Sequence, residues 1–182
     1  MSPEAADRAL PCVVVVMGVS STGKTQVGTR LSRRLGWGFV EGDDLHPEAN
    51  IAKMAAGTPL TDDDRWPWLR AIVTHVRAAV ERDGPVVVTC SALRRSYRDV
   101  LRGADPDGEV FFVHLHGTFT LLAERMGRRE GHFMPPALLQ SQFETLEPLD
   151  PDETGALVDV TPPVHEVAER AEREIRRGGQ LA

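Results

Sequence analysis

The sequence predicts an α/β fold: a parallel β-sheet of about five strands flanked by helices on both faces. Three observations carry this. Apolar, β-rich runs alternate with stretches of helical period along nearly the whole chain, the order that builds parallel βαβ units. The first run, Cys12-Val13-Val14-Val15-Val16-Met17, is apolar at every position, as a strand covered on both faces must be. The stretch Gly18-Val19-Ser20-Ser21-Thr22-Gly23-Lys24-Thr25 follows it directly and fits G-x-x-x-x-G-K-[ST] at every fixed position.

The elements follow in order. Residues 1–11 are polar and mixed in charge and are expected to be disordered. Strand 12–17 leads through the glycine-rich loop into helix 24–35, where Val27, Leu31 and Leu35 recur at i, i+4 and i+8. A short strand at 38–41 precedes a helix at 47–55, with Pro47 in its first turn. Helix 62–82 has the strongest pattern. Leu69, Ile72, Val73, Val76, Ala79 and Val80 form one stripe, while Arg70, Thr74, Arg77, Glu81 and Arg82 face away. Thr61 and Asp62-Asp63-Asp64 read as its cap and acidic first turn, and Gly84-Pro85 ends it. Apolar runs then give strands 85–90, 109–115 and 156–160. Helical patterns give helices 94–102, 118–130, 135–145 and 163–177, the last ending in a solvated Arg176-Arg177.

At 182 residues, 41% hydrophobic and 26% charged, the chain can bury one good core, and a single domain over 1–182 is expected. A net charge of −6 and a pI near 5.5 give no general attraction to nucleic acid or to an anionic membrane. A small anionic substrate suits this balance better than a polyanion. Cys12 and Cys90 fall inside or at the end of expected core strands, where a thiol behaves as a small hydrophobe and the compartment is reducing. No apolar h-region opens the chain and no run approaches the about 20 residues of a membrane span, so the expected location is cytoplasmic.

In a strand–loop–helix setting, the amides of residues 18–25 and the following helix N-terminus face a polyphosphate. Lys24 reaches its transferred end and the Thr25 hydroxyl is placed on Mg²⁺. This is the P-loop NTPase fold, and ATP is the expected nucleotide. Switch GTPases and many ATPases end the third strand with an Asp that holds Mg²⁺ through water. Here Val86-Val87-Val88-Thr89 runs into Cys90-Ser91-Ala92, without a carboxylate. The acidic residues instead cluster after the second strand, in Glu41-Gly42-Asp43-Asp44-Leu45-His46, where the carboxyl ends of a parallel sheet form the ligand crevice. That arrangement belongs to small-molecule kinases.

The chain resembles the gluconokinases of the thermoresistant, P-loop type. The resemblance rests on Gly42-Asp43-Asp44-Leu45-His46-Pro47, Asn50-Ile51-Ala52-Lys53-Met54, the run Gly57 to Leu69, Cys90-Ser91-Ala92-Leu93-Arg94-Arg95-Ser96-Tyr97-Arg98-Asp99, Gly131-His132-Phe133 and Gln142-Phe143-Glu144-Thr145-Leu146-Glu147. It covers roughly residues 12–160. It implies ATP-dependent phosphorylation of D-gluconate to 6-phosphogluconate on a fold like that of shikimate and adenylate kinases. Relatives of this type are often homodimers. One departure is Glu41, where kinases of this fold often carry Asp.

Roles follow from the chemistry of phosphoryl transfer, which needs positioning and charge neutralisation. Asp43 is expected to orient the acceptor's primary hydroxyl and take its proton, with Asp44 as the rival if the strand register shifts by one. Either Glu41 or Asp43 contacts Mg²⁺ through water. By the resemblance, His46 binds a sugar hydroxyl; without it, His46 merely opens the next helix. Arg65 matches an arginine that grips the substrate carboxylate in shikimate kinases. Ser91 supplies close backbone approach, and Arg94 and Arg98 are candidate substrate contacts whose alternative is a solvated basic face. Kinases of this fold carry a lid, here expected over about 126–136. Its arginines Arg125 and Arg129 are expected to neutralise transition-state charge, against the alternative of compensating a helix C-terminus. His132 is a further substrate candidate. Val160-Thr161-Pro162-Pro163 is expected to seat the adenine edge. Trp66, Trp68, Phe143 and Leu146 are expected to be core alone.

Overall fold

Valine decides where the sheet lies. Val13–Met17 form β1 and are fully buried, a β-branched run with both faces covered. The computed structural model describes residues 10–128 and 136–178. Within them β2 (Gly38–Glu41), β3 (Val86–Thr89), β4 (Phe111–His116) and β5 (Gly155–Asp159) join β1 in the spatial order β2-β3-β1-β4-β5. All pairings are parallel, with Val16 and Glu41 both opposite Thr89. The carboxyl ends of β1, β2 and β3 therefore finish level, and the loops that leave them share one crevice.

The helices are α1 (Lys24–Leu35), α2 (Glu48–Ala55), α3 (Asp62–Asp83), α4 (Arg95–Leu101), α5 (Phe119–Gly127), α6 (Pro136–Thr145) and α7 (Val164–Arg177). α1 packs on α7 and against β3, while α3 packs on α4 and reaches β2 and β3 from the other face. α1 buries Val27 and Leu31 and stops at Gly36, which is left-handed. α3 buries Trp68 with Leu69, Ile72, Val76 and Ala79 of the expected stripe, whose Val73 and Val80 are half-buried against the core. Its start is a capping box: the Asp64 amide donates to the Thr61 hydroxyl, and the Thr61 amide donates to the Asp64 carboxylate.

Every expected element is present among the described residues, with ends displaced by at most three residues. One expectation fails at β1. Cys12 precedes the strand and is exposed, because the sheet starts only where Val13 pairs with Val86. Cys90 is buried as expected, and that burial pushes its thiol up to about 12, the thiol of an inert core residue. The expected helix 118–130 ends early, at Gly127, with Arg128 as its cap. Residues 1–9, most of the expected lid, Arg129 and His132 lie outside the described residues.

Candidate active site

The loop between β1 and α1 is held in place by its own backbone. Gly18 has φ 143°, and a Cβ there would lie 2.5 Å from the Leu115 carbonyl oxygen, so only glycine lets the loop leave β1 so close to β4. The Gly18 amide donates to the Ser91 carbonyl at 3.2 Å, tying the loop to the end of β3. The buried Thr22 hydroxyl donates to the Val19 carbonyl at 2.9 Å. Ser21 (φ 65°) and Gly23 (φ 87°) are left-handed, which turns successive amides to the inside of the bend, and no side chain caps α1. Such a loop at a bare helix N-terminus is an anion cradle. Lys24 curls over it, its Nζ donating to the Gly18 and Val19 carbonyls at 3.0 Å each.

In the first turn of α1, the Thr25 hydroxyl donates to Glu41 Oε2 at 2.6 Å. Glu41 is the last residue of β2 and Thr89 the last of β3, and the Thr89 hydroxyl bonds the second Glu41 oxygen. The Gly42 amide donates to that hydroxyl in turn. A hydroxyl and a fixed carboxylate beside a phosphate cradle are oxygen donors of the kind that a hard divalent cation takes.

Next to the cradle lies a pocket of about 120 Å³, onto which Ser20, Lys24, Asp43, His46, Arg65 and Ser91 open. Asp43 is 66% exposed at its side chain. Residues 42–45 form a 3-10 turn, so strand alternation does not choose between Asp43 and Asp44. Both carboxylates are exposed, and of the two it is Asp43 that borders the pocket. Gly42 makes the turn possible, since a Cβ there would sit 2.0 Å from the Thr89 carbonyl oxygen. The Gly42 carbonyl accepts from the Trp68 indole at 2.8 Å.

His46 is buried and stacks on Trp68, ring centres 3.9 Å apart. Asn50 Nδ2 donates to the Asp64 carbonyl at 2.9 Å and faces His46 Nδ1 at 3.3 Å. A carbonyl can only accept, so Nδ2 is the amide nitrogen and its second proton goes to Nδ1. His46 therefore carries its own proton on Nε2, which faces Asp43 Oδ1 at 3.8 Å. Burial lowers the His46 pKa, outweighing the raising effect of Asp43, while Arg65 lowers it further. The ring is a neutral donor aimed into the pocket.

Arg65 enters from the first turn of α3. Its Nη1 donates to the Tyr97 hydroxyl at 3.0 Å and its guanidinium lies over the Tyr97 ring. That hydroxyl bonds Asp62, which also takes Arg94 Nη1 at 3.1 Å. Arg65 lines the pocket, and Arg94 does not. Arg98 is a correction. It is fully buried and its five N–H bonds go to both Glu153 oxygens and to the Ala92, Glu147 and Pro148 carbonyls. No donor remains for a substrate. What Arg98 does is hold Ala92, whose φ of 47° turns Ser91 and Leu93 toward the pocket.

On the other side of the loop, a pocket of about 460 Å³ lies between Ser21–Gly23 and Thr161–Pro163. Arg125 borders it and donates to the Val160 carbonyl at 2.7 Å. The loop thus separates two cavities.

Asn50, Thr89, Tyr97, Gln142 and Trp68 escaped the sequence reading. Trp68 was expected to be core alone, and it is core, but it is also the platform under His46. A polar residue closing a run of three valines was the available signal for Thr89. Periodicity says nothing of the others.

A phosphate cradle with its lysine, a hydroxyl–carboxylate pair and a flanking acceptor pocket define a P-loop kinase. A family model described as an AAA domain matches residues 13–149, and the chain is 55% identical to a gluconokinase of Gluconobacter oxydans (strain 621H) over 79% of each. The chain belongs to the gluconokinase family. It is also 41% identical to the thermoresistant gluconokinase of Escherichia coli (strain K12), over 91% of this chain and 94% of that one. A crystal structure of a gluconokinase from Sinorhizobium meliloti 1021 superposes with a TM-score of 0.85 at 50% identity, covering 94% of this chain and 95% of that one.

Proposed function

We propose that this protein transfers the γ-phosphoryl group of ATP to the primary hydroxyl of D-gluconate, giving 6-phospho-D-gluconate and ADP. The observation that carries the reading is the placement of Asp43, His46 and Arg65 in one pocket beside Lys24, within a chain 55% identical to a gluconokinase. The acceptor oxygen attacks the γ-phosphorus as the bond to the bridging oxygen of ATP breaks. Asp43 accepts the hydroxyl proton, and the uncharged His46 Nε2–H donates to a neighbouring hydroxyl. Arg65 suits the gluconate carboxylate, since guanidinium and carboxylate pair two-pronged. Lys24 exchanges its loop carbonyls for the transferred phosphate and neutralises charge there.

Residues 18–25 hold the triphosphate, and the larger cavity beside Arg125 and Thr161 takes the nucleoside. Thr25 would hold Mg²⁺ directly and Glu41 through water, and the ion would supply charge neutralisation to the transferred phosphoryl group. Among the described residues, no cluster of three or more His, Cys, Asp or Glu could hold a metal, which fits an ion completed by phosphate and water. Arg94 braces Arg65 through Asp62, and Arg129 and His132 keep their proposed roles outside the described residues. No described helix is long and apolar enough to cross a membrane. A single cytoplasmic kinase domain that acts as a homodimer is the setting we propose.

A coupled ADP-release assay with Mg·ATP and a panel of D-gluconate, shikimate, other sugar acids and nucleosides tests this. Turnover confined to D-gluconate is the expected result. Turnover confined to another acceptor sinks the substrate assignment, and none at all sinks the kinase reading.

A further inference from the structure

Gln142 lies on α6, far along the chain from the phosphate cradle, yet it touches the cradle directly: the Ser20 amide donates to Gln142 Oε1 at 2.7 Å. The chemistry fixes which way round the carboxamide sits. A backbone N–H can be met only by an acceptor, so the oxygen faces Ser20 and the –NH₂ faces elsewhere. Gln142 lines the same pocket as Asp43, His46 and Arg65, and its Nε2 donates to no described residue. Ser141 lines the pocket beside it, and the chain just past the end of α6 is tied to the pocket wall, for the Glu147 amide donates to the Leu93 carbonyl at 2.7 Å.

We propose that Gln142 is a specificity-determining residue of the acceptor pocket. The Ser20 amide locks its carboxamide, and the oriented Nε2–H group donates to an oxygen at the reacting end of the sugar acid, next to Lys24. One side chain then ties the donor's cradle to the acceptor's position. An acceptor lacking an oxygen at that point leaves a half-buried donor unpaired, which is how a polar pocket rejects a near-isostere. This inference rests on the gluconate kinase reading above.

The test compares Gln142→Met, similar in length and without the carboxamide, with Gln142→Glu, which keeps one oxygen for the Ser20 amide but offers an acceptor where the donor stood. The KM values for gluconate and for ATP are measured in the same ADP-release assay, with thermal melts to confirm folding. In Gln142→Met the gluconate KM is expected to rise about tenfold, the worth of a lost pocket hydrogen bond, while the ATP KM stays within about threefold. Gln142→Glu is expected to raise the gluconate KM further still. Equal rises in both KM values for Gln142→Met would make Gln142 a prop for the loop and overturn the proposal, as would a wild-type gluconate KM in either variant. A wild-type enzyme that turns over some other acceptor fails the gluconate reading separately, and the same comparison is then read with that acceptor.

Discussion

Arg98 and Glu153 form an ion pair in which both side chains are wholly shielded from water. Nε and Nη2 of the arginine each meet a carboxylate oxygen at 2.8 Å, and Arg102 adds a third contact at 2.7 Å. Burial alone would raise the Glu153 carboxyl. The Arg98 hydrogen bonds, the Asp150 amide and Arg102 override it and bring it down to about 2.

Glu153→Gln keeps the shape and strands the Arg98 charge in the core. It is expected to cost about 3–5 kcal/mol of unfolding free energy, the penalty for breaking a buried pair from one side. Urea unfolding checks this. Asp152→Asn, which loosens an exposed contact to Arg95, is expected to leave the urea midpoint close to that of the wild type.

His114 sits on β4, 3% exposed, with neither ring nitrogen bonded among the described residues. Burial lowers its pKa to about 4, with His116 and Arg98 adding to the effect. The unfolded chain therefore takes up a proton near pH 6.5 that the fold refuses until about pH 4. Stability is undiminished above pH 6.5 and falls as the pH drops from there to 4, by roughly 3 kcal/mol. His114→Leu should flatten that part of the curve. An unchanged slope between pH 6.5 and 4 would show that His114 does not set it.

Asp43→Asn is expected to lower kcat by at least about a hundredfold through loss of the proton acceptor, with the ATP KM little changed. Asp44→Asn should stay within about threefold of the wild type, because its side chain is not part of the pocket. Steady-state kinetics on the two variants separates the roles.

Arg65→Ala is expected to raise the gluconate KM by about 10- to 100-fold, as befits a lost charged hydrogen bond, and to leave the ATP KM nearly unchanged. Tyr97→Phe removes only the hydroxyl that steadies Arg65 and should raise the gluconate KM by a smaller factor. If the ATP KM moved equally, Arg65 would be scaffold.

Glu41→Gln keeps the bond from Thr25 but removes the charge. The Mg²⁺ concentration for half-maximal activity should rise about tenfold, by analogy with other residues that hold a metal's surroundings in place. A titration at fixed ATP reads it.

The sheet and helices were legible because valine runs, the α3 stripe and the Thr61 cap are local signals that the fold obeys. Lys24, Thr25 and the loop were legible for the same reason, since one contiguous motif carries them. Arg98 shows where such reading ends. Its sequence context is a basic helix start, and only the return of residues 147–153 past that helix converts it from a surface charge to a buried one. Tyr97 and Gln142 act through partners 35 and 122 residues away, distances over which no periodicity speaks, and Asn50 is set against His46 by the Asp64 carbonyl 14 residues on. Cys12 misled because an apolar run says where a strand can form, not where pairing begins.

The strand order has a consequence for how the molecule is made. β1 is synthesised first but sits in the middle, and its neighbours are residues 86–89 and 111–116. Until residues 86–91 have left the ribosome, a strand of consecutive valines has no partner on either edge, and the loop it carries lacks the Ser91 carbonyl that anchors Gly18. The second edge stays open until residues 111–116 follow, so the nascent chain carries an unpaired apolar strand for about the first half of its synthesis.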